Sequence, residues 1–247
     1  MGETEQGPKE APVQPLLRVA SLQQRIGRRA VLRNVSFEVF PGECFGIFGL
    51  AGSGKTALIH ILAGVDRFTS GSVEILGHDI GKTEKFKQYT GLVTQKRSLF
   101  QDLTAGENLD FIAALKNAGR EAIPPLVERL ALEDYLKTPV SRLEAGVYQR
   151  LSLACALLNE PRLLLADELI TGFDLNSRRL ILDELAGYLE RGGACVWSFS
   201  SMEFAGLMSR VGWLENGEIT VYSPQAAGEK WNELERSSSP LSGEAHA

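Results

Sequence analysis

The sequence has few cysteines, and it has neither an excess of basic residues nor a long apolar run. Its 3 cysteines, Cys44, Cys155 and Cys195, lie in separate apolar segments and form no C-x-x-C pair. This argues against a disulfide framework or a redox motif. We predict reduced thiols in the core, as is usual in the cytosol.

The charge and the hydropathy pattern exclude further classes of protein. A formal net charge of −5 argues against a nucleic-acid-binding protein, because such domains carry a basic surface. No stretch approaches the roughly 18 apolar residues of a membrane span, and no signal peptide is predicted at the start. Gln6 occupies the position where a myristoylation motif beginning at Gly2 needs Ser or Thr. Any membrane association is therefore expected to depend on a partner.

The composition, with 44% apolar and 23% charged residues, is that of a globular protein. Residues 1–15 are polar and contain three prolines, so we predict a disordered N-terminal lead. Residues 226–247 are predicted to be a C-terminal tail that is largely disordered. Between them, in residues 16–225, apolar strand patterns alternate with helical patterns. This alternation predicts one α/β domain with a mostly parallel sheet, in which the helix-rich residues 99–158 are inserted as a subdomain.

One motif carries most of the functional information. Residues 49–56 fit G-x-x-x-x-G-K-[ST] and are Gly49, Leu50, Ala51, Gly52, Ser53, Gly54, Lys55 and Thr56. An apolar run at 44–48 predicts a strand before the motif, and a periodic run at 57–63 predicts a helix after it. The glycines allow backbone N–H groups to surround phosphate oxygens at a helix N-terminus. Lys55 is then expected to reach the β- and γ-phosphates, and Thr56 to ligate Mg²⁺.

A second run complements this loop. Residues 163–166 are apolar and lead directly into Asp167 and Glu168. A buried strand therefore carries Asp167 to the carboxyl end of the sheet, where enzymes with this phosphate loop hold Mg²⁺. We expect Glu168 to act as a general base that polarises the attacking water.

This chain resembles the ATPase subunits of ABC transporters. The resemblance is carried by the two motifs above together with residues 92–95, 98–104 and 107–109. The likeness covers about residues 17–221 and is greatest to the drug and polysaccharide exporter branch. It implies a P-loop NTPase fold with a mostly parallel core sheet, an N-terminal antiparallel β subdomain and an inserted helical subdomain. It also makes Gln95 a contact for Mg²⁺ and water, and it makes the residues that follow the docking surface for a membrane subunit.

The signature motif of the family, usually L-S-G-G-Q, is altered at residues 143–147. The aligned residues that would contact ATP on a second subunit are Glu144, Ala145, Gly146 and Val147. Glu144 replaces a serine, and a carboxylate about 4 Å from a γ-phosphate charge is repelled by about 1 kcal/mol even in water. The other arrangement open to Glu144 is to turn inward and cap its own helix.

Other family positions also differ. Ile26 stands where an aromatic side chain usually stacks on adenine, and Leu169 and Ile170 replace the usual Pro and Thr. The switch histidine aligns with Phe199 or Ser200, depending on a shift of one residue. Asp174 matches the aspartate of the D-loop, although an Asp at a helix start is also a common cap.

The resemblance implies an ATP-binding and hydrolysing subunit of an exporter, with ATP and Mg²⁺ as cofactors and with weak activity on its own. Its expected partners are an integral membrane permease and a second ATPase subunit, either a copy or a paralogue, but no nucleic acid. The expected location is the cytoplasmic face of a membrane. An alternative is a catalytically impaired ATP-binding module that regulates or assembles a membrane complex. A DNA- or RNA-remodelling ATPase is disfavoured by the acidic charge.

Overall fold

The computed structural model describes residues 13–170, residue 172 and residues 174–238. The strands are β1 (Leu17–Ile26), β2 (Arg29–Val39), β3 (Cys44–Phe48), β4 (Ser70–Ile75), β5 (His78–Asp79), β6 (Thr90–Val93), β7 (Leu163–Asp167), β8 (Ala194–Phe199), β9 (Arg210–Glu215) and β10 (Glu218–Tyr222). The α-helices are α1 (Lys55–Leu62), α2 (Ala105–Leu115), α3 (Ile123–Arg129), α4 (Ala145–Leu157), α5 (Leu175–Glu190) and α6 (Pro224–Ser238).

The core sheet has the strand order β10-β9-β3-β8-β7-β6. All neighbouring pairs are parallel except β9 and β10, which a tight turn joins as an antiparallel hairpin. In that turn Asn216 and Gly217 have φ values of 52° and 82°, the positive values that a type I′ turn requires and that the pair Asn-Gly favours. Every residue of β3, β7 and β8 is buried, which explains their continuous apolar runs.

Alternate residues of the core strands supply two separate hydrophobic cores. Phe45, Leu163 and Val196 pack with β1, β2, β4 and α1 on one face of the sheet. Phe48 and Trp197 point to the other face, where they pack with the helical part of the chain. Side chains of a strand alternate between faces, so one apolar run serves both cores.

The antiparallel β subdomain is a four-stranded sheet with the order β2-β1-β4-β5. Strand β1 pairs with both β2 and β4 along most of its length. This sheet covers α1 and one face of the core sheet, and it brings the start of β2 close to the loop between β3 and α1. The fold is therefore the α/β arrangement that the sequence predicts.

The inserted helical subdomain contains α2, α3 and α4 between β6 and β7. A capping box, which the pattern T-x-x-E at residues 104–107 favours, starts α2. Thr104 Oγ1 accepts from the Glu107 N–H, and the Glu107 carboxylate accepts from the Thr104 N–H. The pair Pro124-Pro125 predicts a break in the chain followed by a helix from Leu126 to about Leu132. This prediction is wrong, since α3 begins at Ile123 and includes both prolines. Proline is tolerated in the first turn of a helix, where its missing N–H would have no partner within the helix.

The C-terminal part also differs from its prediction. Residues 226–238 belong to α6, whereas the sequence predicts a tail that is largely disordered from residue 226. Tertiary contacts explain the helix, because Ala227 is fully buried and Trp231 packs against the core. Lys230 Nζ also lies 4.3 Å from the centre of the Trp213 ring. Residues 239–247, and residues 1–12 of the predicted N-terminal lead, lie outside the described residues.

In the part of the chain that the structure describes, no helix combines the length and the apolar character that crossing a bilayer requires.

Candidate nucleotide-binding site

The site lies at the edge of the core sheet where the parallel strands β3, β8, β7 and β6 end. The phosphate-loop motif follows β3, and Asp167 and Glu168 lie at the end of β7. Ser200 follows β8, and Gln95 lies exposed just beyond β6. Because carboxyl ends of parallel strands share one edge, the topology brings together residues that are far apart in sequence.

The phosphate loop depends on its glycines for shape. Gly52 and Gly54 have φ values of 77° and 110°, a region that other residues rarely adopt. A Cβ atom on Gly49 would lie 2.4 Å from Ser53 Oγ and 2.8 Å from the Leu214 carbonyl oxygen. Ser53 Oγ is buried and has no hydrogen-bond partner within the described residues. The loop is thus a tight turn with an unsatisfied polar atom, as expected of a cradle for an external polar group.

Lys55 begins α1 and is only 7% exposed. Its Nζ donates to the Gly49 carbonyl at 2.6 Å and lies 3.8 Å from Glu168 Oε1. Burial lowers the pKa of Lys55, and the nearby Glu168 and Asp167 carboxylates oppose that shift. A buried cation therefore stands between the phosphate loop and the acidic pair.

The acidic pair is held by hydroxyl groups on β8 and just beyond it. Asp167 is buried, and its Oδ1 accepts a 2.5 Å hydrogen bond from Ser198 Oγ, because the two residues are register partners on β7 and β8. Glu168 has a φ of 53°, and its Oε1 accepts from Ser200 Oγ. Left-handed backbone at a non-glycine residue costs about 1–3 kcal/mol, so the surrounding contacts must hold Glu168 in this conformation.

The two candidates for the switch position, Phe199 and Ser200, lie in different environments. Phe199 is fully buried, with its ring centre 5.6 Å from that of Phe48. Ser200 is exposed and contacts Glu168. The sequence analysis missed the roles of Ser198 and Ser200. The run Ser198-Phe199-Ser200 at the end of an apolar strand contained a usable signal. Because side chains alternate along a strand, the two serine hydroxyl groups are expected on the face of the sheet opposite to the phenylalanine.

The four residues of the altered signature lie at the start of α4. Glu144 is the N-cap residue, but its side chain makes no capping hydrogen bond with the described residues. The option that it turns inward to cap its own helix is therefore wrong. Glu144 and Ala145 are exposed, while Gly146 and Val147 are buried. The Glu144 side chain is therefore exposed at the start of α4.

Asp174 caps α5, since its Oδ1 accepts a 2.8 Å hydrogen bond from the Ser177 N–H. This backbone donor lowers the pKa of Asp174. The same carboxylate lies beside the signature helix, because a Cβ atom on Gly146 would lie 2.6 Å from Asp174 Oδ2. The capping role is observed, and the D-loop role stays a prediction.

Comparison with known proteins agrees with this arrangement. Residues 32–171 match the family model described as ABC transporter. The chain belongs to the ABC transporter family.

Individual ABC proteins extend the likeness beyond the matched range. The chain is 34% identical over 189 residues to the Nod factor export ATP-binding protein I of Burkholderia pseudomallei, which covers 74% of this chain and 62% of that protein. It is 30% identical over 210 residues to the linearmycin resistance ATP-binding protein of Bacillus subtilis, which covers 83% and 68% of the two chains. The chain therefore spans less than two thirds of the length of the Burkholderia relative.

Solved structures show the same ABC fold. An ATP-binding subunit of an ABC transporter superimposes with a TM-score of 0.80 at 23% identity, covering 88% of this chain and 93% of that one. A dimeric ATP-binding cassette with bound ADP and Pi gives a TM-score of 0.77 at 24% identity, with coverages of 84% and 98%.

Proposed function

We propose that this chain binds and hydrolyses ATP as the energy-supplying subunit of an ABC-type exporter. The observation that supports this most strongly is the position of Lys55 between the phosphate loop and Glu168, 3.8 Å from the carboxylate. A buried ammonium group in that position complements the β- and γ-phosphates of ATP. The printed names of the relatives, which refer to export and to drug resistance, favour export over uptake.

The residues present also fit a magnesium ion held together with the nucleotide. Within the described residues, no group of three or more His, Cys, Asp or Glu side chains is placed to hold a metal by itself. Asp167 supplies one buried carboxylate, so Thr56, Gln95 and phosphate oxygens complete the proposed ligand set. When bound, the magnesium ion neutralises charge on the β- and γ-phosphates.

The proposed catalytic step uses Glu168 as the general base. A carboxylate held by Ser200 beside the phosphate loop is positioned to accept a proton from the attacking water. Ser200 is a neutral donor where the family has a histidine, and Glu144 presents a carboxylate where the family has a serine. Both changes reduce stabilisation of charge at the γ-phosphate, so we expect slow hydrolysis by this chain alone.

The proposed membrane partner docks on the helical subdomain next to Gln95. Phe100, Phe111 and Leu115 are 48%, 42% and 66% exposed, and the two phenylalanine rings meet edge to face at 4.8 Å. An exposed apolar cluster of this kind fits the end of a membrane subunit. We place the chain on the cytoplasmic face of the membrane through this contact. We further propose a second ATPase subunit, a copy or a paralogue, because the exposed start of α4 is positioned to meet a second phosphate loop.

The second candidate function is an ATP-binding module that regulates or assembles a membrane complex without turnover. The replacement of the switch histidine by Ser200 and the exposed Glu144 favour it. The ordered contact between Ser200 and Glu168 counts against it, because a module that only binds ATP does not need a positioned base.

Calorimetry with Mg·ATP and a phosphate-release assay test this proposal together. We expect Lys55→Ala to weaken ATP binding by about tenfold or more, since a charge-assisted contact contributes about 1.5–3 kcal/mol. Glu168→Gln is expected to keep binding and to lose phosphate release. Lys82→Ala, which changes an exposed lysine that pairs with Asp79, is the matched control.

If the wild type binds no Mg·ATP, or if Lys55→Ala binds it equally well, the proposed function is wrong. Binding without any phosphate release, in the presence of the membrane partner, would select the second candidate.

A further inference from the structure

The loop that carries Gln95 is tied to the start of α4 by the side chain of Tyr148. This tyrosine lies directly after the altered signature and is only 3% exposed. Its hydroxyl oxygen accepts hydrogen bonds from the Ser98 N–H at 2.6 Å and from the Leu99 N–H at 3.1 Å. These two N–H groups have no other acceptor among the described residues, and the two lone pairs of a hydroxyl oxygen can accept both. One side chain of α4 therefore fixes the backbone of the loop.

A second tie runs in the opposite direction, from the loop to the residues that precede α4. The Arg97 guanidinium group donates to the Leu143 carbonyl at 2.7 Å and to the Val140 carbonyl at 3.3 Å. It also lies 4.7 Å from the centre of the Tyr148 ring, where a guanidinium group is attracted to the aromatic face. Arg97 and Tyr148 thus form a clamp between two segments that are 43 to 50 residues apart in sequence.

Thr94 restrains the short segment around Gln95. Its Oγ1 donates to the Lys96 carbonyl at 2.8 Å and lies 3.0 Å from Ser98 Oγ, so the chain turns back on itself here. Gln95 is exposed within this turn. Because the turn is short and closed, a displacement of Gln95 is transmitted to residues 97–99, which the clamp holds against α4.

We propose that Tyr148 is a positioning residue that couples Gln95 to the altered signature at Glu144. This inference rests on the proposed function, in which Gln95 contacts magnesium and the start of α4 meets a second phosphate loop. Energetic coupling between two sites is carried by hydrogen-bond networks of this kind, in which separate segments are joined by a few side chains. The clamp makes the two loops one unit, so a movement of Gln95 at the nucleotide displaces the start of α4.

The first test is a double-mutant cycle on the full-length chain with Gln95→Ala and Tyr148→Phe, measured as phosphate release over a range of Mg·ATP concentrations. Tyr148→Phe keeps the ring beside Arg97 and removes only the hydroxyl group. Tyr135→Phe is the matched control, because it makes the same change in the helical subdomain. An arginine also lies near that ring, with the Arg150 guanidinium 5.7 Å from its centre, but the Tyr135 hydroxyl makes no hydrogen bond with the described residues.

We expect Tyr148→Phe to lower kcat about fivefold and to change KM by less than about twofold, because the clamp acts on Gln95 and not on residues 49–56. In the Gln95→Ala background the same change should lower kcat by less than about twofold, since the group through which Tyr148 acts is already gone. Tyr135→Phe should leave kcat unaffected in both backgrounds. A merely structural role of Tyr148 would lower kcat equally in both, and that result overturns the inference, as does wild-type activity of Tyr148→Phe.

The second test uses amide hydrogen exchange with and without Mg·ATP, and it needs no turnover. In the wild type, Mg·ATP should slow exchange at residues 49–56 and, through the clamp, by about fivefold at residues 140–143. In Tyr148→Phe the slowing at residues 49–56 should remain, while the slowing at residues 140–143 should fall below about twofold. The inference is overturned if that second slowing persists in Tyr148→Phe or is absent in the wild type. Failure of the proposed function is distinguishable, because then Mg·ATP slows exchange at residues 49–56 in none of the proteins.

Discussion

Replacing Ser200 by alanine tests the catalytic arrangement most directly. The change removes the hydroxyl group that donates to Glu168 Oε1, and it leaves the buried core of β8 untouched. A hydrogen bond to a charged group contributes about 1.5–3 kcal/mol, and exposure of Ser200 to solvent reduces this to about 1 kcal/mol. We therefore expect kcat to fall about fivefold.

Ser201→Ala is the matched control, because Ser201 is the next residue, is also exposed, and donates to Glu203 rather than to Glu168. Phosphate release at saturating Mg·ATP gives kcat, and a titration of ATP gives KM. We expect Ser200→Ala to lower kcat with little change in KM or in the melting temperature, and Ser201→Ala to change none of these. The reasoning is refuted if the two variants lose the same activity, or if Ser200→Ala changes only KM.

Three further predictions concern the loop, a buried carboxylate and a buried amine. Gly54→Ala should abolish ATP binding measured by calorimetry and destabilise the fold by about 1–2 kcal/mol, because the residue has a φ of 110°; a variant that binds normally would contradict the assigned loop shape. Glu184→Gln should lower stability to urea by about 2 kcal/mol, because the side chain is 1% exposed and pairs with Arg129 and Arg191; equal midpoints would argue against these pairs. Burial lowers the pKa of Lys116 from 10.5 to about 8, so the unfolded chain binds more protons between these values and stability should rise with pH across that window. That rise should be absent in Lys116→Met, and an identical pH profile of urea unfolding would show that Lys116 is not the cause.

Features that depend on neighbouring residues were predictable from the sequence. The phosphate loop, the capping box at Thr104 and the turn at Asn216 each need only a few adjacent residue types with particular backbone or hydrogen-bonding properties. The strand before the loop was predicted with its observed bounds, Cys44–Phe48, because a short apolar run between turn residues is typical of a buried parallel strand.

The sequence by itself therefore determined the fold class and the residue types that surround a triphosphate, because local patterns set both. Only the tertiary structure decided that α6 is a helix, since its folding depends on contacts of Trp231 and Ala227 with a distant core. The tertiary structure also placed Ser200, and not the buried Phe199, against Glu168. It paired Ser198 with Asp167, 31 residues away, through the register of β7 and β8. Pairing between strands is a relation between separate segments, so the pattern within either segment does not specify it.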